Sequence, residues 1–177
     1  MCKRLIQFLL FTALVTALFP TQATNTPTGI LSLSPTPAPS LQIQDMDGEA
    51  FDLSQHKGSW VFVHFWASWC GPCRKEMPAI AKMWHKLESQ GLKIALVNTA
   101  ENEDTVFAFL ATYAPEIRAL MDKDGQATEK WQPRGLPATF LVDPKGQLRF
   151  QALGGRPWDT APYLAFLQQL LQQNHVR

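Results

Sequence analysis

Phe65-Trp66-Ala67-Ser68-Trp69-Cys70-Gly71-Pro72-Cys73 is the stretch on which the reading of this chain turns. On its N-terminal side, Trp60 to Trp66 is apolar on both alternating faces and rich in aromatic and β-branched groups, as a central strand covered on both sides would be. On its C-terminal side, Pro72 to Ser89 reads as a helix closed by Gly91, with Ile80, Met83, Trp84 and Leu87 at helical spacing for the core. Cys70 and Cys73 therefore fall in a strand-to-helix turn. A thiolate there meets unpaired backbone N–H groups and the positive end of the helix dipole, both of which favour the anion over the thiol. Cys70 is expected to be the exposed nucleophile. Cys73, one helical turn inward, is placed to attack a mixed disulfide formed at Cys70 and release the partner reduced. Pro72 lacks only an N–H that the first turn would leave unpaired anyway.

Other uses of two cysteines at this spacing are weaker. A structural zinc site needs about four N or S ligands, and no histidine pair at ligand spacing accompanies the two cysteines. Covalent haem attachment would need His directly after Cys73, where Arg74 stands. A peroxidatic cysteine needs no partner at this spacing. A purely structural disulfide across so short a loop stabilises little through chain entropy. Copper delivery, with both thiolates holding Cu(I), is compatible with soft sulfur ligands but lacks an obvious third ligand near the motif.

Working outward, short apolar runs alternate with Gly, Pro and Asp from Leu41 onward. Leu41 to Gln44 and Ala50 to Leu53 read as a hairpin around Asp47-Gly48. After the long helix come a strand from Lys93 to Val97, a helix from Glu103 to Tyr113, a short strand from Arg118 to Met121 and a helical turn or two from Ala127 to Trp131. Ala138 to Val142 and Leu148 to Leu153 form a second hairpin, and Thr160 to Gln173 a last helix with Leu164, Leu167, Leu170 and Leu171 on one stripe. The succession predicts an α/β domain, a sheet flanked by helices on both faces.

Farther out, charge becomes informative by its position. The 177 residues carry sixteen Lys and Arg against fifteen Asp and Glu, a net charge of +1 without a basic stripe, which argues against nucleic acid as a partner. Yet Leu5 to Gln44 holds no Asp, Glu, Lys or Arg. Lys3 and Arg4, the mostly apolar Leu5 to Phe19, and the small residues flanking Gln22 read as a secretory signal over residues 1–23, cut after Ala23 or retained as a membrane anchor through residues 5–19. Residues 24–40, with Pro27, Pro35, Pro37 and Pro39, are expected to be an extended linker, and residues 41–177 the folded domain.

The segment Phe65 to Cys73 resembles the active-site segment of thioredoxins, and Gly135-Leu136-Pro137-Ala138-Thr139-Phe140-Leu141-Val142-Asp143 resembles their cis-proline segment. The leading hairpin and the long interval between Cys73 and Pro137 are similar to exported TlpA-like and ResA-like proteins of the redoxin, AhpC/TSA type. The resemblance covers about Leu41 to Leu171 and implies a thioredoxin-like fold: a central mixed sheet flanked by helices, with an N-terminal hairpin and an extra helix and strand before the cis-proline.

It implies that Pro137 is cis and lies opposite the cysteines, with the Leu136 backbone offering edge hydrogen bonds to a substrate and Trp69 facing it; an ordinary trans turn proline is the alternative. Glu76 occupies the position of an acidic residue that sits near the cysteines in that subfamily and could exchange a proton with Cys73, against a solvated helix glutamate. His64 is a departure, standing where thioredoxins carry a buried Asp. It either tunes the cysteine pair or is a packing histidine on a backbone bond. The activity implied is thiol-disulfide exchange in the bacterial envelope, with Cys70 and Cys73 themselves as the cofactor and no metal. The chain would act as a periplasmic monomer on protein thiols and disulfides, with a membrane thiol transporter as electron donor and contact with the membrane only through its N-terminal segment.

Overall fold

The structure, a computed structural model, describes residues 26–173. The expected signal or anchor over residues 1–23 lies outside them. Among the described residues eight strands and four α-helices follow in chain order: β1 (Ile30–Pro37), β2 (Gln42–Gln44), β3 (Ala50–Asp52), β4 (Val61–Trp66), α1 (Gly71–Leu87), β5 (Lys93–Thr99), α2 (Glu103–Tyr113), β6 (Leu120–Asp122), α3 (Gln126–Trp131), β7 (Ala138–Val142), β8 (Gln147–Leu153) and α4 (Ala161–Gln172).

Every side chain of β4 is buried, as its unbroken apolar run requires, and β4 lies inside a six-stranded sheet of order β1-β8-β7-β4-β5-β6. β4 runs parallel to β5, and β5 to β6; β7 and β8 form the antiparallel hairpin beside β4. α2, β6 and α3 fill the interval before Pro137. α1, α2 and α4 bury Met77, Ile80, Val106, Phe109, Phe166 and Leu170 in a core shared with Phe62 and Trp66. The opposite face meets Trp131 of α3 and the hairpin β2–β3, a separate two-stranded sheet, with Leu41 and Leu53. Local signals account for the helix starts: Asn102 Oδ1 caps α2 by accepting the Thr105 N–H at 2.9 Å, and Pro72 and Pro162 stand in the first turns of α1 and α4. The architecture is thioredoxin-like, as the motifs implied.

The linker expected over residues 24–40 is corrected by β1. Ile30–Pro37 pairs antiparallel with β8, Ile30 opposite Ala152, and buries Ile30 in the main core. Its prolines are tolerated because β1 is an edge strand and its register breaks between Ser32 and Thr36, where Pro35 owes no ladder bond. The folded part therefore begins before Leu41.

The sheet ends define the site. Phe65 lies opposite Ala138, Asn98 beside Trp66, Leu153 opposite Ala138 and Ile30 opposite Ala152. The loop to Cys70, Pro137, the loop after β8 and the start of β1 thus all leave the sheet at one end.

Candidate active site

Cys70 is the N-cap of α1: its backbone is extended (φ −78°, ψ 110°), and its Sγ accepts the Cys73 N–H at 3.3 Å. The two cysteines are joined as a disulfide with Cα atoms 5.3 Å apart. Cys73 is fully buried while Cys70 keeps 5% of its surface, and Trp69 beside it is 69% exposed. Of the pair, only Cys70 reaches solvent, and it does so where the helix start concentrates N–H groups. Attack from outside is therefore directed at Cys70.

The turn before Cys70 is held by Glu101, just beyond β5. One carboxylate oxygen accepts the Ser68 N–H and the Asn98 side-chain N–H, each at 2.7 Å, and the other accepts the Ser68 hydroxyl. Three donors on one carboxylate pin the backbone two residues before the nucleophile. Nothing in the spacing of the sequence ties Glu101 to Ser68.

Beneath the pair, β4 and α1 bring His64 and Glu76 together. His64 is fully buried and Glu76 is 5% exposed, so Glu76 is not a solvated helix residue. His64 Nδ1 lies 2.9 Å from Thr139 Oγ1 on the neighbouring strand, in a hydrogen bond whose direction follows the imidazole tautomer. The histidine is thus held by a side chain and not by a backbone bond. His64 Nε2 and Glu76 Oε1 face each other at 3.2 Å, but poor alignment leaves both atoms without a hydrogen bond. Glu76 Oε2 accepts the Arg156 backbone N–H at 2.8 Å.

The Leu136–Pro137 peptide is cis, and Pro137 is buried where β7 begins. Its carbonyl accepts the Gly154 N–H at 2.8 Å. Leu136 is half-buried against both cores. Between α1 and the loop after β8 runs a groove of about 600 Å³ whose lining includes Pro72, Lys75, Glu76, Gly155 and Arg156. The arrangement brings Cys70, Cys73, Glu76, His64, Leu136 and Pro137 to one end of the sheet. It adds Thr139, which stands in the cis-proline segment, together with Glu101 and Arg156, whose contacts no local sequence pattern marks. Among the described residues no group of three or more His, Cys, Asp and Glu side chains comes together as a metal site would require.

Residues 35–151 match the sequence profile of the AhpC/TSA family. The thiol-disulfide oxidoreductase ResA of Bacillus subtilis is 36% identical over 111 residues, which are 63% of this chain and 62% of that protein. The chain spans slightly less than two thirds of the length of the first curated relatives it matches. Among solved structures, a protein from Chlorobium tepidum described as a thiol:disulfide interchange protein DsbE superposes with a TM-score of 0.67 at 32% identity, over 81% of this chain and 99% of that one. StoA from Bacillus subtilis, 24% identical with a TM-score of 0.62 over 76% of this chain and 97% of that one, shares the fold. With the profile covering both cysteines and the cis-proline, and the fold agreeing over 81% of the chain with a structure 32% identical to it, the chain belongs to the AhpC/TSA family.

Proposed function

We propose that this chain is a thiol-disulfide oxidoreductase of the bacterial envelope that reduces disulfides in exported client proteins. One observation carries the reading: at the start of α1, an outer cysteine with access to solvent is backed by a fully buried one, at the sheet end where a cis-proline begins β7. That asymmetry suits a two-step exchange. In the reduced protein, the Cys70 thiolate attacks one sulfur of a client disulfide, forming a mixed disulfide and expelling a client thiolate, which takes up a proton. Cys73 then loses its proton and attacks Cys70 Sγ, which forms the Cys70–Cys73 disulfide and frees the second client thiol. Two electrons pass to the client, and a dithiol donor must return them.

In this reading Glu76 takes the Cys73 proton. It lies one turn farther along α1, on the inward side, with one oxygen held by Arg156 and the other without a hydrogen bond. His64 sits behind it as a tuning residue, and Trp69 and the Leu136–Pro137 edge form the client-facing surface. The cysteine pair is the whole redox cofactor. The uncharged, apolar N-terminal stretch supports export, with a membrane thiol transporter as donor and apocytochromes c or copper-site proteins as a client class. Among the described residues no helix is long and apolar enough to cross a membrane.

The test is trapping. Cys73→Ala should accumulate mixed disulfides through Cys70, and Cys70→Ala should abolish insulin-disulfide reduction. No trapped client together with undiminished insulin reduction by Cys70→Ala would sink the proposal.

A further inference from the structure

The loop after β8 supplies two backbone donors to the site from residues two apart. Gly154 N–H holds the Pro137 carbonyl at 2.8 Å, and Arg156 N–H holds Glu76 Oε2 at 2.8 Å. Between them, Gly155 passes so close to α1 that a Cβ would stand 3.4 Å from the Pro72 carbonyl oxygen and 3.6 Å from Glu76 Oε2. The proton-handling side of the site and its client-binding side are thus set by one short loop.

The Arg156 guanidinium is what closes that loop. Among the described residues it meets no carboxylate; it donates to three backbone carbonyls instead. Nη1 bonds Gly155 O at 2.8 Å, Nη2 bonds Leu153 O at 2.7 Å, and Nε and Nη2 both reach Gly29 O at 3.3 Å. One of those carbonyls lies in the loop, one belongs to Leu153 at the end of β8, and the third belongs to the residue that precedes β1. Gly29 is in the left-handed region (φ +78°), and a Cβ there would lie inside the guanidinium, 2.6 Å from Cζ. The Gly29 segment is itself fixed: Ile30 N–H bonds Pro27 O at 3.2 Å, Tyr163 Oη donates to Thr28 O at 2.8 Å, and Ile30 is buried.

Resting on the oxidoreductase reading, we propose that Arg156, seated on Gly29, is a positioning residue of the redox site: its guanidinium locks the loop that holds Glu76 and the cis-proline carbonyl. Neither residue touches the cysteines. The N-terminal strand therefore belongs to the active site through Arg156 and is more than a lead from the export signal to the domain. Planarity matters, because the guanidinium spreads its N–H donors over three nitrogens in a fixed fork, whereas the donors of an ammonium radiate from one nitrogen and cannot span the same three carbonyls.

The test compares the full chain with Arg156→Ala, Arg156→Lys and Gly29→Ala. Two quantities are read: the equilibrium constant for Cys70–Cys73 exchange with glutathione, and kcat and KM for insulin-disulfide reduction. Loosening of the loop is expected to shift the exchange constant and to lower kcat/KM about tenfold, the scale of one lost hydrogen bond to a charged group. Lys at position 156 should behave like Ala, since charge without the fork does not close the loop, and Gly29→Ala should move both quantities in the same direction. A lower unfolding midpoint with unchanged exchange constant and unchanged kinetics, in Arg156→Ala or in Gly29→Ala, would reduce Arg156 to a structural clamp and overturn the proposal. Failure of the wild-type pair to exchange with glutathione at all would overturn the oxidoreductase reading as well, so the two failures are distinct.

Discussion

On one face of β4, Val61, Val63 and Phe65 meet Phe140, Trp131, Leu41 and Leu53; on the other, Phe62 and Trp66 flank His64 beneath α1. Both faces are closed to water to the same degree. The first is apolar and aromatic, with Phe65 edge-on to Phe140 at 6.1 Å and Trp131 at 5.3 Å from Phe140. The second has a polar column through it, from Thr139 through His64 to Glu76 and the Arg156 backbone. Burying polar groups is unfavourable unless each is bonded, and here the facing His64 and Glu76 atoms are not. A chain that builds one face of a strand without such a burden carries it on the other face only where the helix bearing the cysteines lies. The difference between the faces separates what holds the domain together from what serves the site.

The largest effect should come from damage to the apolar face. Phe65→Ala removes a ring packed between Trp131 and Phe140, and a buried Phe→Ala change costs about 3–5 kcal/mol. That is a large part of the roughly 5–15 kcal/mol available to a domain. Urea unfolding should show the loss in full, while the glutathione exchange constant of the protein that remains folded stays at the wild-type value. A changed exchange constant would mean that the two faces are coupled through β4.

The polar face should respond more weakly. Replacing His64 and Thr139 together, His64→Leu with Thr139→Val, removes both partners of one buried hydrogen bond but leaves the buried Glu76 Oε1 without the imidazole nitrogen 3.2 Å away. The first loss is often neutral, whereas taking the partner from a buried carboxylate is not. The unfolding free energy should fall by about 1–3 kcal/mol, less than for Phe65→Ala. Insulin reduction should also slow, because Glu76 loses the imidazole that faces it. Stability that falls by several kcal/mol with catalysis intact would make the column a structural element.

The apolar face was also the more legible of the two in sequence. β4, α1, β7–β8 and α4 announce themselves through runs and spacings that each lie within one element; Cys70 and Cys73 carry their chemistry in their residue type, and Pro137 is marked by the family resemblance. β1 does not. Its partners lie in β8, with Ile30 paired to Ala152, and its Ser, Thr and Pro composition is what a solvated linker also uses. Arg156 was invisible for a related reason: its guanidinium bonds only carbonyls, which every residue has. Glu76 could be suspected from the family resemblance, but its pairing with His64 depends on how α1 lies across β4.

The smallest effect tests the rim of the apolar face. His56 stacks on Phe51, ring centroids 4.7 Å apart, and Phe51 packs against that core. Partial burial, then the nearby Lys93 charge, hold the His56 pKa below its ordinary 6.5, and Asp52 only partly opposes them. The unfolded chain therefore takes up a proton at a higher pH than the folded one. Above about pH 6.5 both states leave the ring uncharged and its contribution is whole; as pH falls from there toward the folded pKa, the unfolded state gains and stability is lost. Water screens a half-exposed ring, so the loss should stay below about 1 kcal/mol. His56→Phe keeps an aromatic ring against Phe51 and removes the titration. Melting temperatures from pH 7.5 to 5.5 should fall less steeply for this variant than for wild type, and equal slopes would show that the hairpin's hold on the apolar face is indifferent to the charge at its edge.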